Sequence, residues 1–268
     1  MRYKECRMYY CAGIAAIFLL KYYYRLAGSG ELLWLLAPVA GWVKLLSGCS
    51  FAYIPGEGYV NHSLRFFIAP SCGGMQFLII TVAMLFFTFL HRMNTEKKRL
   101  LWAACSLISA YGYTIFVNGI RIVLSMDLPV LCRQAGLMNG WLTPEKLHTM
   151  IGAAVYFASL VLLYQLTERL LCWMEIGSKE RTLRVLLSAE GKKVRRKELL
   201  RAAAPLFWYL MFVLWIPALK KIWLPDRREF FEYAVLVLAV CLFILGSRKI
   251  LAALLFGVLH LLHGFRKG

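Results

Sequence analysis

Three side chains that can perform nucleophilic chemistry stand near the ends of successive apolar runs. Cys72 opens one run within "PSCGGMQFL" (70–78), Arg121 follows the next run, and His148 begins the one after that. A thiol needs a nearby base or cation to ionise at neutral pH, because the pKa of a free cysteine is about 8.5. His148 can serve as base and then as acid, and Arg121 is a fixed cation that can also hold an oxyanion. These residue types indicate acyl transfer.

Four neighbouring residues are candidates for orienting the reactants. Gly73 and Gly74 are expected to free the first-turn backbone N–H groups and to let a peptide approach the sulfur closely. Gln76 lies about one helical turn beyond the thiol, and Asn118 lies three residues before the arginine. Each of these two amides therefore shares a helix face with its reactive neighbour and can orient it or donate to a carbonyl.

The composition places these residues in a membrane protein. Of the 268 residues, 60% are hydrophobic and 17% are charged, and the mean hydropathy is +0.62. Soluble domains are about 45–50% apolar and 25% charged. The formal charge of +18 is concentrated in short segments between apolar runs, as in membrane proteins, which argues against nucleic-acid binding. We predict an all-α, polytopic transmembrane helical bundle in contact with membrane lipid.

Seven apolar runs approach the ~20 residues that an α-helix needs to cross a hydrocarbon core of about 30 Å. They are Met8 to Tyr24, Leu32 to Leu46, Met75 to Leu90, Leu100 to Val117, Leu147 to Leu166, Pro205 to Leu224 and Phe230 to Gly246. An eighth run, Ile250 to Leu262, is short; it is either a re-entrant or interfacial helix or the end of a long tilted span. The sequence therefore predicts about seven or eight spans.

Loop charges predict the orientation of the bundle. The loop at 91–99 has four basic residues against Glu96, and the segment 167–201, with "KKVRRK" at 192–197, has ten against five glutamates. This excess places both loops in the cytoplasm. The loops at 47–70 and 122–146 are balanced and are expected to face outward, together with the three reactive side chains.

Two features of the amino-terminal part need the structure to decide them. If two spans precede the outer segment at 47–70, the N-terminus lies outside despite Arg2, Lys4 and Arg7; alternatively, one of the first two runs is not a full span. Within the outer segment, alternating residues around the Pro-Gly-Glu-Gly sequence at 55–58 predict a short extracytoplasmic β-hairpin.

The cysteines give no sign of a metal or of a disulfide framework. They lie at positions 6, 11, 49, 72, 105, 132, 172 and 241, without C-x-x-C or any paired metal-ligand spacing. We expect neither a metal nor another cofactor.

Three short motifs together resemble a known family. "PSCGGMQFL" (70–78), "NGIRI" (118–122) and "LHTMIG" (147–152) are similar, in order and spacing, to the signature segments of the exosortase/archaeosortase family, over roughly residues 32–166. The small size is similar to the branch called exosortase K. The resemblance implies a multi-pass transpeptidase in which Cys72 is the nucleophile, Arg121 the transition-state or substrate clamp and His148 the proton shuttle. Family members often have serine at the position of Gly73.

The same resemblance implies the partners and the location. The substrates would be exported proteins that end in a short motif, a transmembrane helix and a basic tail. The enzyme would cleave this sorting signal and transfer the new carboxyl end to an acceptor, or to water if it acts as a protease. It would be an integral, multi-pass protein of the plasma (inner) membrane with an extracytoplasmic active site.

The chain divides into four parts on this interpretation. They are an N-terminal anchor span (1–31), an exosortase-like catalytic membrane core (32–166), a basic cytoplasmic loop (167–204), and C-terminal membrane spans with a basic tail (205–268). Two other functions stay open. A small-solute transporter is expected to have ionisable groups near the midplane and broken helices or repeats. In a non-catalytic membrane assembly subunit the thiol would be incidental.

Overall fold

The apolar runs form helices because, in hydrocarbon, an α-helix satisfies every backbone hydrogen bond internally. The computed structural model describes residues 7–64, 66–138, 140–176, 203–221 and 227–265. The helices are α1 (Arg7–Leu26), α2 (Leu33–Ser47), α3 (Met75–Phe89), α4 (Glu96–Gln134), α5 (Pro144–Ile176), α6 (203–221) and α7 (Arg227–Phe265). Within α6, Met211–Trp215 is π-helical. The predicted basic segment at 192–197 and the terminal residues Arg2 and Lys4 lie outside the described residues.

In the part of the chain that the structure describes, four helical segments are long and apolar enough to cross a membrane. They are Pro70–Arg92, Glu96–Gln134, Pro144–Met174 and Arg228–Ser247, while Leu33–Ser47 and Ala203–Leu219 are shorter apolar helices. This confirms the helical class and agrees with a membrane protein; the predicted total of seven or eight spans stays a prediction. The segment that contains α3 is 83% buried, against 28%, 39% and 11% for the other three, so α3 is the central helix.

Two helices continue past the ends of the apolar runs, and one predicted boundary, the end of the fourth run, was therefore wrong. Helix α4 does not stop near Val117 but carries Arg121 within it and ends only at Gln134, so most of the predicted outer loop at 122–146 is helical. It ends there because Gly136 adopts a left-handed conformation, with φ +68°. Helix α7 likewise joins the predicted seventh and eighth runs into one helix, which supports the long-span alternative.

Helix α1 runs antiparallel to α3. The ring of Tyr10 lies 5.9 Å from that of Phe87, and a Cβ at Gly13 would meet the ring of Phe86, so the beginning of α1 packs beside the end of α3. The N-terminal end of α1 therefore lies at the same end of the bundle as the basic loop that follows α3.

Helix α2 does not carry the chain to the opposite end of the bundle. The backbone N–H of Gly56, in the turn between the first two strands of the sheet that follows α2, donates to the hydroxyl of Ser29, which precedes α2, at 3.0 Å. Both ends of α2 are therefore beside the sheet. This supports the alternative in which one of the first two runs is not a full span, and it places Arg7 at the end opposite to the sheet, as its charge favours.

The predicted hairpin is present and gains a third strand. Strands β1 (Ala52–Ile54), β2 (Gly58–Asn61) and β3 (Phe66–Ile68) form an antiparallel sheet in the order β1-β2-β3. Gly58 has φ +113°, and a Cβ there would clash with the Ile68 carbonyl oxygen, so glycine is needed where the strands approach closely. Ile68 is fully buried in a cluster with α2 and fixes the start of the segment that contains Cys72.

Candidate active site

Cys72 stands at the entrance of the central helix, as predicted. Pro70–Cys72 forms one 3₁₀ turn, in which the N–H of Cys72 donates to the carbonyl of Ala69 at 2.8 Å and that of Gly73 donates to the carbonyl of Pro70 at 3.2 Å. The N–H of Gly73 is therefore already bonded, and the expectation that it is free was wrong. Helix α3 begins three residues beyond the thiol.

Arg121 and His148 are in direct contact across the interface of α4 and α5. Nη2 of Arg121 lies 2.8 Å from Nε2 of His148. A guanidinium has donors but no acceptor, so Nε2 must be the acceptor. In this contact His148 is a neutral imidazole with its proton on Nδ1, and its Nε2 lone pair is occupied by the arginine.

Tyr156 connects this pair to the segment that contains the thiol. Nη1 of Arg121 donates to the Tyr156 hydroxyl at 3.3 Å, and this hydroxyl donates to Oδ1 of Asn118 at 2.6 Å. The Tyr156 ring stacks on Phe77 of the central helix, with centroids 4.6 Å apart and an interplanar angle of 13°. The phenol is therefore held in place at both its ring and its hydroxyl.

Asn118 completes the connection. Its Nδ2 donates to the backbone carbonyl of Cys72 at 2.7 Å, and the residue is fully buried. Four hydrogen bonds thus join Cys72 to His148 through Asn118, Tyr156 and Arg121. From the guanidinium to the Cys72 carbonyl every donor points the same way, and such chains strengthen cooperatively in a low dielectric. The predicted orienting role of Asn118 therefore has a physical basis, although its partner is the backbone of Cys72.

The thiol of Cys72 lies outside the hydrogen-bond network formed by Asn118, Tyr156, Arg121 and His148. Cys72 is half-buried and packs against the cluster formed by α2 and the sheet. Within the described residues, its sulfur makes no hydrogen bond to Arg121 or His148. Tyr24 of α1 packs against the same cluster. The backbone of Cys72 is thus part of the network, while its side chain lies beside it.

A cavity of about 210 Å³ lies next to this network. Its lining includes Gly74, Gln76, Arg121, His148 and Tyr156, but not Cys72. Gln76 therefore faces the same space as the arginine and the histidine, where it can donate to a carbonyl; its predicted orientation of Cys72 stays a prediction. Gly73 lies instead beside Leu36. A Cβ at position 73 would be 3.0 Å from a Leu36 methyl group.

Arg121 is the one charged group among the described residues that line this cavity. Its two described hydrogen-bond partners, Tyr156 and His148, are both neutral, and its Nε is buried without a partner. Arg121 is half-buried, and partial removal of a cation from water without an anion has an unfavourable desolvation energy that a bound acceptor offsets. The guanidinium is therefore available to a ligand.

Tyr156 and the aromatic residues of the C-terminal helices were missed in the sequence. One signal for Tyr156 exists: His148, Gly152 and Tyr156 are spaced four residues apart on one helix face, and the small Gly152 leaves room for Arg121, whose Nε would lie 3.4 Å from a Cβ there. Tyr209 and Tyr233 also line the cavity, but no local pattern connects them with the motifs.

The comparisons with known proteins found no match. No family model, no curated protein and no solved structure matches this chain. Among the described residues, no group of three or more His, Cys, Asp or Glu side chains is placed to hold a metal ion.

Gly74→Ala is expected to destabilise the protein by about 2–4 kcal/mol. Gly74 has φ +86°, and a Cβ there would lie 2.9 Å from Cγ of Asn118, so alanine adds backbone strain and displaces the amide from Cys72. The thermal unfolding midpoint in detergent should fall. Gly112→Ala is the control, because its Cβ would meet nothing within 4 Å and helix propensity favours alanine. Equal midpoints for the two variants would contradict the predicted role of Gly74.

Proposed function

We propose that this chain is a membrane-embedded cysteine transpeptidase or protease of exosortase type, which cleaves the C-terminal sorting signal of exported proteins. The observation that carries the proposal is the directed hydrogen-bond chain from Arg121 to the Cys72 carbonyl, with His148 bound to the same guanidinium. It joins residues of three separate segments, which are the segments that the family resemblance singles out. If Cys72, Arg121 and His148 had separate structural roles, no hydrogen-bond chain between them would be required.

The proposed reaction has two acyl-transfer steps. The Cys72 thiolate attacks the scissile carbonyl carbon, the C–N bond breaks, and the leaving amine takes a proton from His148. The product is an acyl thioester on Cys72. An acceptor amine, or water, then attacks the thioester and loses its proton to His148, and the sulfur leaves. Arg121 stabilises the oxyanion in both steps.

The contact between Arg121 and His148 defines the state from which this reaction starts. Because Nε2 accepts from the guanidinium, it cannot accept the thiol proton at the same time. A substrate carbonyl that binds the Arg121 donors frees the lone pair of His148. Substrate binding and activation of the thiol are therefore linked, and the side chain of Cys72 must turn from the α2 cluster towards His148.

One observation favours a non-catalytic membrane assembly subunit as the second candidate. The Cys72 side chain packs with apolar residues, as an incidental thiol would, and does not line the cavity. A membrane-impermeant, thiol-alkylating reagent separates the two functions. Alkylation of Cys72 must abolish the activity of a transpeptidase, whereas an assembly subunit tolerates the modification.

The proposed function is tested by deleting the chain from its native cell. An exported protein that ends in a short motif, an apolar helix and a basic cluster should then accumulate with its tail intact. Re-expression of the chain should restore processing. Normal tail removal in the deleted cells would contradict the proposal.

Tyr156→Phe should slow this processing about tenfold, because the Asn118 Oδ1 and Arg121 Nη1 atoms lose their shared partner while the Phe77 stack is retained. Tyr113→Phe is the matched control. Tyr113 also lies at the α4–α5 interface, its ring is 6.2 Å from that of Phe77, and its hydroxyl donates to the Ser159 carbonyl at 2.8 Å. Initial rates of processing at equal expression measure the effect. If both variants lose the same fraction of activity, the hydroxyl of Tyr156 has no special role.

A further inference from the structure

A buried phenol of helix α6 lacks a hydrogen-bond partner beside the candidate site. Tyr209 is only 3% exposed and lines the cavity that contains Arg121 and His148. Within the described part of the chain, its hydroxyl makes no hydrogen bond. Tyrosine hydroxyls of buried residues usually have a partner. The Tyr209 hydroxyl is not one of the fully enclosed, unpaired polar atoms, so it is accessible from the cavity. A partner supplied by a ligand would explain this position.

The charges around the cavity specify the chemistry of that ligand. Arg121 contributes only donors, and the hydroxyl of Tyr209 can donate as well. No carboxylate lines the cavity among the described residues. An acceptor oxygen therefore gains hydrogen bonds from both side chains, whereas a lysine or arginine side chain would be repelled by the guanidinium.

The size of the cavity restricts the ligand further. Its volume of about 210 Å³ lies below the ~300–1,000 Å³ of sites for drug-sized ligands. Phe77 and Val213 give parts of the wall an apolar character. A single residue of an extended peptide, or two small ones, fits this space.

We propose that this cavity is a substrate subsite that binds one neutral or acidic residue of the peptide, whose carbonyl or carboxylate oxygen is shared by Arg121 and Tyr209. The C-terminal helices α6 and α7, which supply Tyr209, Val213 and Tyr233, are then part of the substrate site. They lie outside the segment 32–166 that carries the family resemblance. That the ligand is a peptide rests on the proposed function. The preference of the cavity for a hydrogen-bond acceptor oxygen does not.

A cysteine reporter inside the cavity tests this preference without a substrate. Thr149 lines the cavity, so Thr149→Cys places a thiol there. The reporter protein retains Cys49, which is outside the cavity lining, as the internal reference, and its other native cysteines are replaced by serine. Alkylation rates are measured with iodoacetate, which carries a carboxylate, with the neutral and similarly shaped iodoacetamide, and with the cationic 2-bromoethylamine.

The proposal predicts a rate ratio of iodoacetate to iodoacetamide about tenfold higher at position 149 than at Cys49, and slower relative reaction with 2-bromoethylamine. Tyr209→Phe should lower the ratio about fivefold, as expected for one hydrogen bond. Tyr113→Phe should leave it unchanged. Val213→Trp should fill the cavity and slow all three reagents.

Three results would overturn the subsite. They are equal ratios at position 149 and Cys49, no effect of Tyr209→Phe, and an equal effect of Tyr113→Phe. The assay protein lacks Cys72, so these results leave the proposed function intact. Conversely, if processing continues without Cys72, the proposed function fails while the measured preference for an acceptor oxygen stands.

Discussion

Cys72→Ser should reduce removal of the sorting signal by about 10⁴-fold or more, since loss of a nucleophile in a concerted site removes nearly all of the catalytic effect. Serine changes one atom and keeps the backbone, so the Cys72 carbonyl still accepts from Asn118. Its hydroxyl ionises far less readily than a thiol, so much less of the nucleophile is present in its reactive form. Pulse-chase measurement of the tail-bearing protein gives the rate.

The control for this variant is Cys105→Ser. Cys105 is exposed on the surface of α4 and is not part of the hydrogen-bond network. This variant should process at the rate of the unmodified protein. Both variants should be present in the membrane at equal levels, which immunodetection checks. Undiminished processing by the Cys72→Ser protein would remove the nucleophile from the proposal.

Arg121→Lys is expected to lower the processing rate by about 10²–10³-fold, although the charge is retained. The guanidinium binds Tyr156 through Nη1 and His148 through Nη2 at the same time. An ammonium group on a flexible stem cannot reproduce this fork or hold an oxyanion in the same geometry. The reduction should appear in kcat/KM, because Arg121 both binds the substrate carbonyl and holds the oxyanion.

Arg133→Lys provides the matched substitution on the same helix. Arg133 is exposed in the last turn of α4, and a change there should leave the rate unaltered. If Arg121→Lys retains full activity, then only the charge at position 121 matters, and the hydrogen-bond chain through Tyr156 is not required.

The sequence predicted the helices of the central region because their apolar runs are long and unmistakable. It also predicted the right partners for one contact, since the run lengths place Arg121 and His148 at similar depths on consecutive helices. The helix ends were less predictable. Hydropathy falls where α4 leaves the apolar run near Val117, but the helix continues through Arg121 and accommodates Gly119 and Pro129 before it ends at Gln134.

The remaining parts of the site depend on contacts between distant segments. Tyr156 joins Asn118 and Arg121 through its hydroxyl, and Tyr209 reaches the same cavity from a helix more than fifty residues further along the chain. Both are ordinary aromatic residues within apolar helices, where packing explains most tyrosines. The placement of α2 was equally hidden, because it follows from contacts of Ser29 with Tyr53 and Gly56, which bring the start of α2 beside the β1–β2 hairpin.

The position of the thiol is the part of the site that the sequence described least well. Depth alone suggested that Cys72 faces Arg121 and His148, but a 3₁₀ turn before α3 directs the side chain towards α2. Residues at one level of a bundle can point into different interfaces, and the direction is set by the local backbone. The proposed reaction therefore includes a rotation of this side chain.

The central claim, that Cys72 carries the acyl group, is tested most directly by mass spectrometry of the protein after incubation with its tail-bearing substrate in the absence of an acceptor. The expected result is a covalent adduct on the peptide that contains Cys72, which hydroxylamine releases because thioesters are sensitive to it. The adduct should be absent from the Cys72→Ser protein. Tail removal that proceeds without any adduct on Cys72, or with an adduct on another cysteine, would contradict the account.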